Sequence, residues 1–267
     1  MVLSVLLPLI YPPPASIVIT AMSVLGFVSL SNGGWMEIKG KHMQYSKLLG
    51  HDKSPKQQKV VPSKIGMAVL YTPAFLAGAA SFWLFPVGGG DLRFTLLRAA
   101  VTTHFFKRVL EVLFLHKFSG SVDVEAMITI SLSYFTFSAT SIYTQYLTLG
   151  LAEPAIDLKY IGIPLFLVGI GGNFYHHYLL TTLRTKGEKQ YKIPQGGLFS
   201  LVICPHYLFE IIGFLGISCI SQTLYTFSFT MGTFFYLMGR SCATRKWYDS
   251  KFEDFPKDVK ALIPYIF

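Results

Sequence analysis

The sequence is short of charge. Only 14% of its 267 residues are Asp, Glu, Lys or Arg, roughly half the share that keeps an ordinary soluble domain wet. That shortage excludes a conventional water-soluble fold for most of the chain. Cysteine is also scarce: Cys204, Cys219 and Cys242 make no CxxC and no even set, which supports neither a disulfide framework nor a thiolate metal site. His176, His177 and His206 lack an HExxH-like spacing, and adjacent helical histidines point about 100° apart, so no metal centre is expected. No repeat and no long Ser/Gly linker divides the chain, which reads as one domain over 1–267. The opening MVLSVLLPLIYPPP lacks the basic region of a cleaved leader and is expected to stay in the mature protein. VGGGDL (87–92) and VGIGGNF (168–174) look like phosphate loops but lack the preceding strand of a βαβ unit. Gly169, Gly171 and Gly172 are instead expected to let two helices approach closely.

What the chain has is apolar surface: 52% hydrophobic and 15% aromatic residues, with a mean hydropathy of +0.47. A bilayer crossing takes roughly 20 apolar residues. Seven segments qualify, at about 13–31, 65–86, 93–115, 125–149, 158–180, 198–219 and 221–239. The expected fold is therefore all-α, a polytopic bundle of seven transmembrane helices surrounded by membrane lipids. Only Ser221-Gln222 separates the last two segments, which predicts a tight helical hairpin.

The formal charge of +9 belongs to the connections. The 32–64 loop holds seven lysines, 181–197 holds Arg184, Lys186, Lys189 and Lys192, and the tail adds Arg240, Arg245, Lys246, Lys251, Lys257 and Lys260. With seven spans these loops share one side, and the other side has little beyond Arg93 and Lys159. The positive-inside rule places the basic side and the C-terminus in the cytosol. Basic membrane-flanking loops account for the charge, and no nucleic-acid partner is expected.

Ionisable groups at membrane depth cost several kcal/mol unless paired or wet, which makes them functional candidates. The third segment carries His104, Lys107, Arg108 and Glu111 within two turns; the fifth ends in Asn173, Tyr175, His176 and His177; the sixth carries His206 and Glu210. Singly, each reads equally well as a lock between helices. Together, at one depth on the cytosolic side, they predict one polar cavity. IPQGG (193–197) suits a sharp turn back into the membrane. Its basic and aromatic neighbours suit phosphates over a nucleotide, and suit a plain solvated loop equally.

LRTKGEKQYKIPQGGLF, CPHYLFE and KWYDSKFEDFPKDVKALIPYIF resemble the C-terminal region of the steroid 5α-reductase family, most strongly over 173–267. KRVLEVLFLHKFS (107–119) is also similar to the very-long-chain enoyl-CoA reductases. The resemblance implies a multi-pass enzyme of the endoplasmic reticulum membrane, C-terminus cytosolic. Such enzymes use NADPH to reduce a carbon–carbon double bond conjugated to a carbonyl in a lipid or steroid. A steroid 3-oxo-4-ene is the implied substrate. A trans-2-enoyl-CoA, a polyprenoid, or a catalytically degenerate lipid-binding protein are the alternatives. The cofactor-binding positions it implies are His104, Arg108, Asn173, Arg184, Tyr191, His206, Glu210, Arg240 and Tyr248. Two departures stand out: the family holds the carbonyl with a glutamate and a tyrosine, and those positions here are Tyr71 and Phe105. Phe105 has no hydrogen-bond donor, so Tyr71 is the expected catalytic group. His177 replaces a usual aspartate and Thr244 a common histidine.

Overall fold

Asp91 and Asp123 start two of the helices by accepting the backbone N–H of Phe94 (2.7 Å) and Ala126 (3.1 Å). These side chains satisfy amides that a helix N-terminus leaves without a partner. Ser16 does the same for Ile19, and Pro205 occupies a first-turn position where its missing N–H costs nothing. The computed structural model describes residues 8–49, 59–86, 91–183 and 190–267. Among these, seven α-helices take the places of the seven predicted segments: α1 Ile17–Ile38, α2 Ser63–Leu84, α3 Leu92–Leu110, α4 Val124–Tyr146, α5 Lys159–Thr182, α6 Pro205–Ser221 and α7 Leu224–Lys251. The architecture is mainly α-helical. The sequence did not announce the two short antiparallel strands, β1 Val60–Pro62 and β2 Ser121–Asp123. Of the helices, α1 and α2 are each long and apolar enough to cross a membrane. Helix α6 is apolar but only 17 residues long.

Three helix boundaries differ from the hydropathy reading, each for a local reason. Helix α1 runs on to Ile38 because Glu37 is buried against an arginine of α7 instead of lying in a loop. Helix α6 begins at Pro205, not near 198. After Gly196 (φ 83°) and Gly197 (φ 51°), a 3-10 turn over Gly197–Ser200 intervenes. Residues 201–203 then pair with the tail through Ile203 N to Lys260 O and Lys260 N to Leu201 O, both 2.9 Å. Helix α7 continues to Lys251, because Ala243, Trp247 and Tyr248 are buried against Leu48, Ile203, Phe255 and Val259 in a second apolar cluster.

The predicted hairpin between α6 and α7 is present. Gln222 adopts a left-handed conformation (φ 50°), and its side chain ties the turn to the carbonyls of Leu9 and Ile156 and to Arg93. Arg93, with Glu153, Asp157 and Lys159, closes this end of the bundle with ion pairs.

Glycine lets α5 and α6 touch backbone to backbone. A Cβ on Gly169 would lie 2.3 Å from the Gly213 nitrogen, and one on Gly162 2.7 Å from the Gly216 carbonyl oxygen. Gly171, grouped with them on sequence, faces open space instead. Gly169→Ala is therefore expected to cost about 1–3 kcal/mol by overpacking. Gly171→Ala is expected to be neutral or to stabilise by about 0.5–1 kcal/mol. Thermal unfolding of the two variants in detergent checks the contrast; equal melting would contradict this packing.

Polarity is distributed inside out. Val24, Leu25, Val28, Leu76, Leu132 and Leu167 point outward, whereas Glu37, Arg93, Arg108, Glu111, Glu210 and Arg240 are buried. This is the reverse of what water selects.

Candidate functional site

Three helices bring their polar residues to one place, as the cluster reading expects. On α3 and the π-turn that follows it (Glu111–Leu115), Lys107, Arg108 and Glu111 sit within one turn. Arg108 donates to Glu111 Oε2 (2.6 Å) and to the Tyr71 hydroxyl of α2, and it lies 2.9 Å from His177 Nδ1 of α5. Its guanidinium carbon stands 4.5 Å from the Tyr71 ring centre. Lys107 holds the other Glu111 oxygen at 3.0 Å and donates to Asn173 Oδ1. Asn173 in turn donates to the His206 carbonyl (2.8 Å), joining α5 to the first turn of α6. One turn further on, Glu210 accepts from Tyr134 of α4 at 3.3 Å. A carboxylate buried beside two cations keeps its charge through such pairing and leaves no isolated ion in the core.

These groups surround an inner cavity of about 230 Å³. Tyr71, Arg108, Tyr134, His177, His206 and Glu210 line it. It adjoins a smaller cavity of about 120 Å³ between Lys47, His206, Tyr207 and Tyr248. Both share Ser46 and Leu180 with an outer recess of about 200 Å³ bearing Lys47, Lys117, Tyr191 and Lys192. A basic outer recess thus lies next to an inner cavity floored by Tyr71, Arg108 and Glu210. On the other side, Ile130, Tyr134, Tyr236 and Leu237 are shared with an apolar groove of about 530 Å³ between α1, α4 and α7. His116, in the link after α3, lines both the mouth and the inner cavity. Burial, with Arg108 nearby, pushes its imidazole pKa down to about 4, so it is neutral at pH 7.

The sequence-derived residues fall into distinct groups. Tyr71, Arg108, His206 and Glu210 line the inner cavity, and Tyr191 and Tyr248 line the mouth. Asn173 stands behind the wall, its amide engaged by Lys107 and by the α6 backbone. His104 is packed between Phe105 and Phe214 (ring centres 4.9 Å from each) in the apolar core. Arg240 borders the middle cavity, yet its guanidinium donates to Glu37 (2.7 Å) and to the carbonyls of Met43 and Tyr45 (3.0 Å each). That makes it a clamp between α7 and the loop after α1. Arg184 lies outside the described residues. Of the histidines, His176 is engaged by the IPQGG turn, where its Nε2 accepts the Leu198 N–H at 3.1 Å.

No metal was expected, but one group has ligand geometry: Glu111, His116 and His177 offer atoms within 4.8 Å of one another. Arg108 and Lys107 already neutralise that carboxylate from both sides, which opposes a third cation there.

Sequence reasoning missed Tyr134, Glu37, Tyr45 and Tyr236. Tyr134 sits in ISLSYFTFSATSIY, a hydroxyl-rich run in an otherwise apolar segment, and that run was the available signal. Glu37 falls in the 32–64 stretch that hydropathy reads as a loop.

A helical bundle with buried ion pairs, a basic recess and an apolar side groove defines a membrane-associated protein built around a polar internal site. The family model described as 3-oxo-5-alpha-steroid 4-dehydrogenase matches residues 122–267, and the chain belongs to that family. The steroid 5-alpha-reductase DET2 of Gossypium hirsutum is 43% identical over 107 residues, 40% of this chain and 42% of that protein. The 3-oxo-5-alpha-steroid 4-dehydrogenase 2 of Sus scrofa is 40% identical over 117 residues, 43% of this chain and 46% of that protein. The very-long-chain enoyl-CoA reductase of Dictyostelium discoideum is 32% identical over 169 residues, 61% and 55% of the two chains. The chain spans about half the length of these curated relatives.

Proposed function

We propose that this protein is a multi-pass membrane oxidoreductase that uses NADPH to reduce a carbon–carbon double bond conjugated to the carbonyl of a lipid. A steroid 3-oxo-4-ene is the leading substrate. The observation that carries the proposal is the adjacency of three environments that share lining residues: a basic mouth, a floor of Tyr71, Arg108 and Glu210, and an apolar groove beside that floor. Outward apolar side chains, dense on α1, α2, α4 and α5, favour spans in lipid. The lysine-rich loops and tail favour a cytosolic C-terminus, and the family membership favours the endoplasmic reticulum.

The residues suit the cofactor. His206 Nδ1 is buried with no hydrogen-bond partner among the described residues, beside the inner cavity, and so awaits one. Lys47, Lys117 and Lys192 give the mouth the charge that phosphates require. Tyr191 and Tyr248 line that mouth, and Glu210 and His206 suit ribose hydroxyls and a carboxamide. Bound NADPH supplies hydride. Tyr71 acts on the lipid: its oxygen accepts from Arg108, leaving the phenolic proton to donate to a carbonyl. As the double bond is reduced, charge grows on that carbonyl oxygen, and a preorganised donor lowers the barrier. Arg108, fixed by Glu111, reinforces the donor electrostatically. The α-carbon then takes a proton from water.

A 2-enoyl thioester is the second reading, favoured by the 32% identity over 169 residues to the enoyl-CoA reductase. Titration of the purified protein with NADPH, followed by nicotinamide fluorescence, tests the proposal. Saturable binding with a blue-shifted, enhanced emission is expected, and the absence of binding would leave a lipid-binding protein without cofactor. Turnover of a steroid enone against trans-2-enoyl-CoA then separates the two substrate classes.

A further inference from the structure

We infer that Tyr134 of α4 is a second carbonyl donor and stands at the point where the lipid's polar head meets the reducing site. The inference rests on the reductase reading and extends it to a residue to which the resemblance assigns no role. Four residues line both the inner cavity and the apolar groove, and only Tyr134 and Tyr236 among them carry hydroxyls. Tyr236 pairs with the Tyr45 hydroxyl at 3.3 Å, beneath the Arg240 clamp. Tyr134 instead lies at the floor. Its ring stacks on Tyr71 (centres 5.6 Å apart, planes 29° apart), and its hydroxyl reaches Glu210. Tyr71 lines the inner cavity, and Tyr134 lines both it and the groove. A carbonyl carried on an apolar body in the groove therefore meets Tyr134 on its way to Tyr71.

The neighbouring residue explains the arrangement. Phe105 of α3 is fully buried and has no donor, and its ring stands 5.2 Å from that of Tyr134. The hydroxyl that α3 lacks at this floor is thus supplied from α4. Tyr134 has one proton, which in the free protein goes to Glu210 across 3.3 Å, at the long end of the O–H···O range. Where Glu210 accepts from a ribose hydroxyl in its place, the Tyr134 proton is released to a carbonyl without leaving the carboxylate unsatisfied. Tyr71, its oxygen held by Arg108, and Tyr134 then donate two hydrogen bonds to the same carbonyl oxygen. No covalent bond is made by either tyrosine; the step is a change of hydrogen-bond partner.

The experiment uses the full chain in detergent, saturated with NADP⁺ so that no reduction occurs. The probes are a 3-oxo-4-ene steroid, its 3-deoxy counterpart and a trans-2-enoyl-CoA. Hydrogen bonds to an enone oxygen move its absorption to longer wavelength, so the bound spectrum reports on donors directly. Tyr134→Phe is expected to weaken binding of the carbonyl probe by about tenfold, the worth of one hydrogen bond at the upper end of its usual range. It should shrink the spectral shift and leave the 3-deoxy probe unaffected. Adding Phe105→Tyr to the same chain is expected to restore most of the shift, which a merely structural tyrosine would not do. Equal loss of both steroids, an unchanged shift, or no recovery with Phe105→Tyr would overturn the inference. Binding of NADP⁺ with no binding of any carbonyl probe to the unaltered protein would also overturn it while leaving the cofactor assignment standing. Failure to bind NADP⁺ would remove the reductase reading itself.

Discussion

Tyr71→Phe is expected to lower turnover by about 10²-fold or more, the usual loss when one oxyanion donor is removed, while NADPH affinity stays within about twofold. The size of the effect follows from position. The Tyr71 ring is buried, its oxygen is fixed by Arg108, and its face lies under the guanidinium. The hydroxyl therefore needs no reorganisation as charge develops on a substrate oxygen. Phenylalanine keeps the stacking on Tyr134 and removes only the donor. Single-turnover reduction under saturating NADPH measures the chemical step without product release. A rate within about threefold of the unaltered protein would remove Tyr71 from the mechanism, because so small a loss is below the worth of an oxyanion donor.

Arg108→Met is expected to be the most disruptive single change at the site. It leaves Glu111 with Lys107 as its one full cation, beside His177 at 3.1 Å, and removes the guanidinium from Tyr71 and His177. Breaking a buried pair on one side costs about 3–5 kcal/mol, a fall of roughly 10 °C in the thermal midpoint for a chain of this size. Activity should be lost with it. The two effects are separable. A second variant, Arg108→Lys, keeps a cation beside Glu111 and should recover part of the stability, but an ammonium cannot hold Glu111, Tyr71 and His177 at once as the planar guanidinium does, so turnover stays low. Melting of Arg108→Met at the temperature of the unaltered protein would contradict the ion-pair account.

Much of this organisation was legible in the sequence, because hydropathy and charge report directly on which segments avoid water. The seven helices fall where the apolar segments are, and the α6–α7 hairpin follows from its two-residue gap. The convergence of Arg108, Glu111, His177 and Glu210 was readable from the cost of placing such groups in apolar runs. Boundaries were less legible, since hydropathy marks the apolar part of a helix and not its hydrogen-bonded ends. Glu37 counted as loop because its partner Arg240 is 203 residues away. Hydropathy ends α7 near 239, because its last turns bury one face on the tail and leave the other charged.

Roles inside the site were harder to read than membership of it. His104 and Arg108 share a helix face by spacing, yet His104 turns into Phe105 and Phe214 while Arg108 reaches Tyr71. Arg240 has the charge for a phosphate, but its donors are committed to Glu37 and two carbonyls. Tyr134 carried no signal beyond a polar neighbourhood, because its importance arises from what α2 and α6 place beside it.

The central claim is that this cavity joins a hydride donor to a conjugated lipid carbonyl. The most direct test supplies the purified protein with NADPH deuterated at the transferring position and a 3-oxo-4-ene steroid or a trans-2-enoyl-CoA. Mass spectrometry then locates the label in the product. The account predicts a saturated product carrying one deuterium at the former β-carbon, with the α-hydrogen drawn from water. NADPH bound without transfer to either probe, or label appearing at the carbonyl carbon as an alcohol, would contradict it.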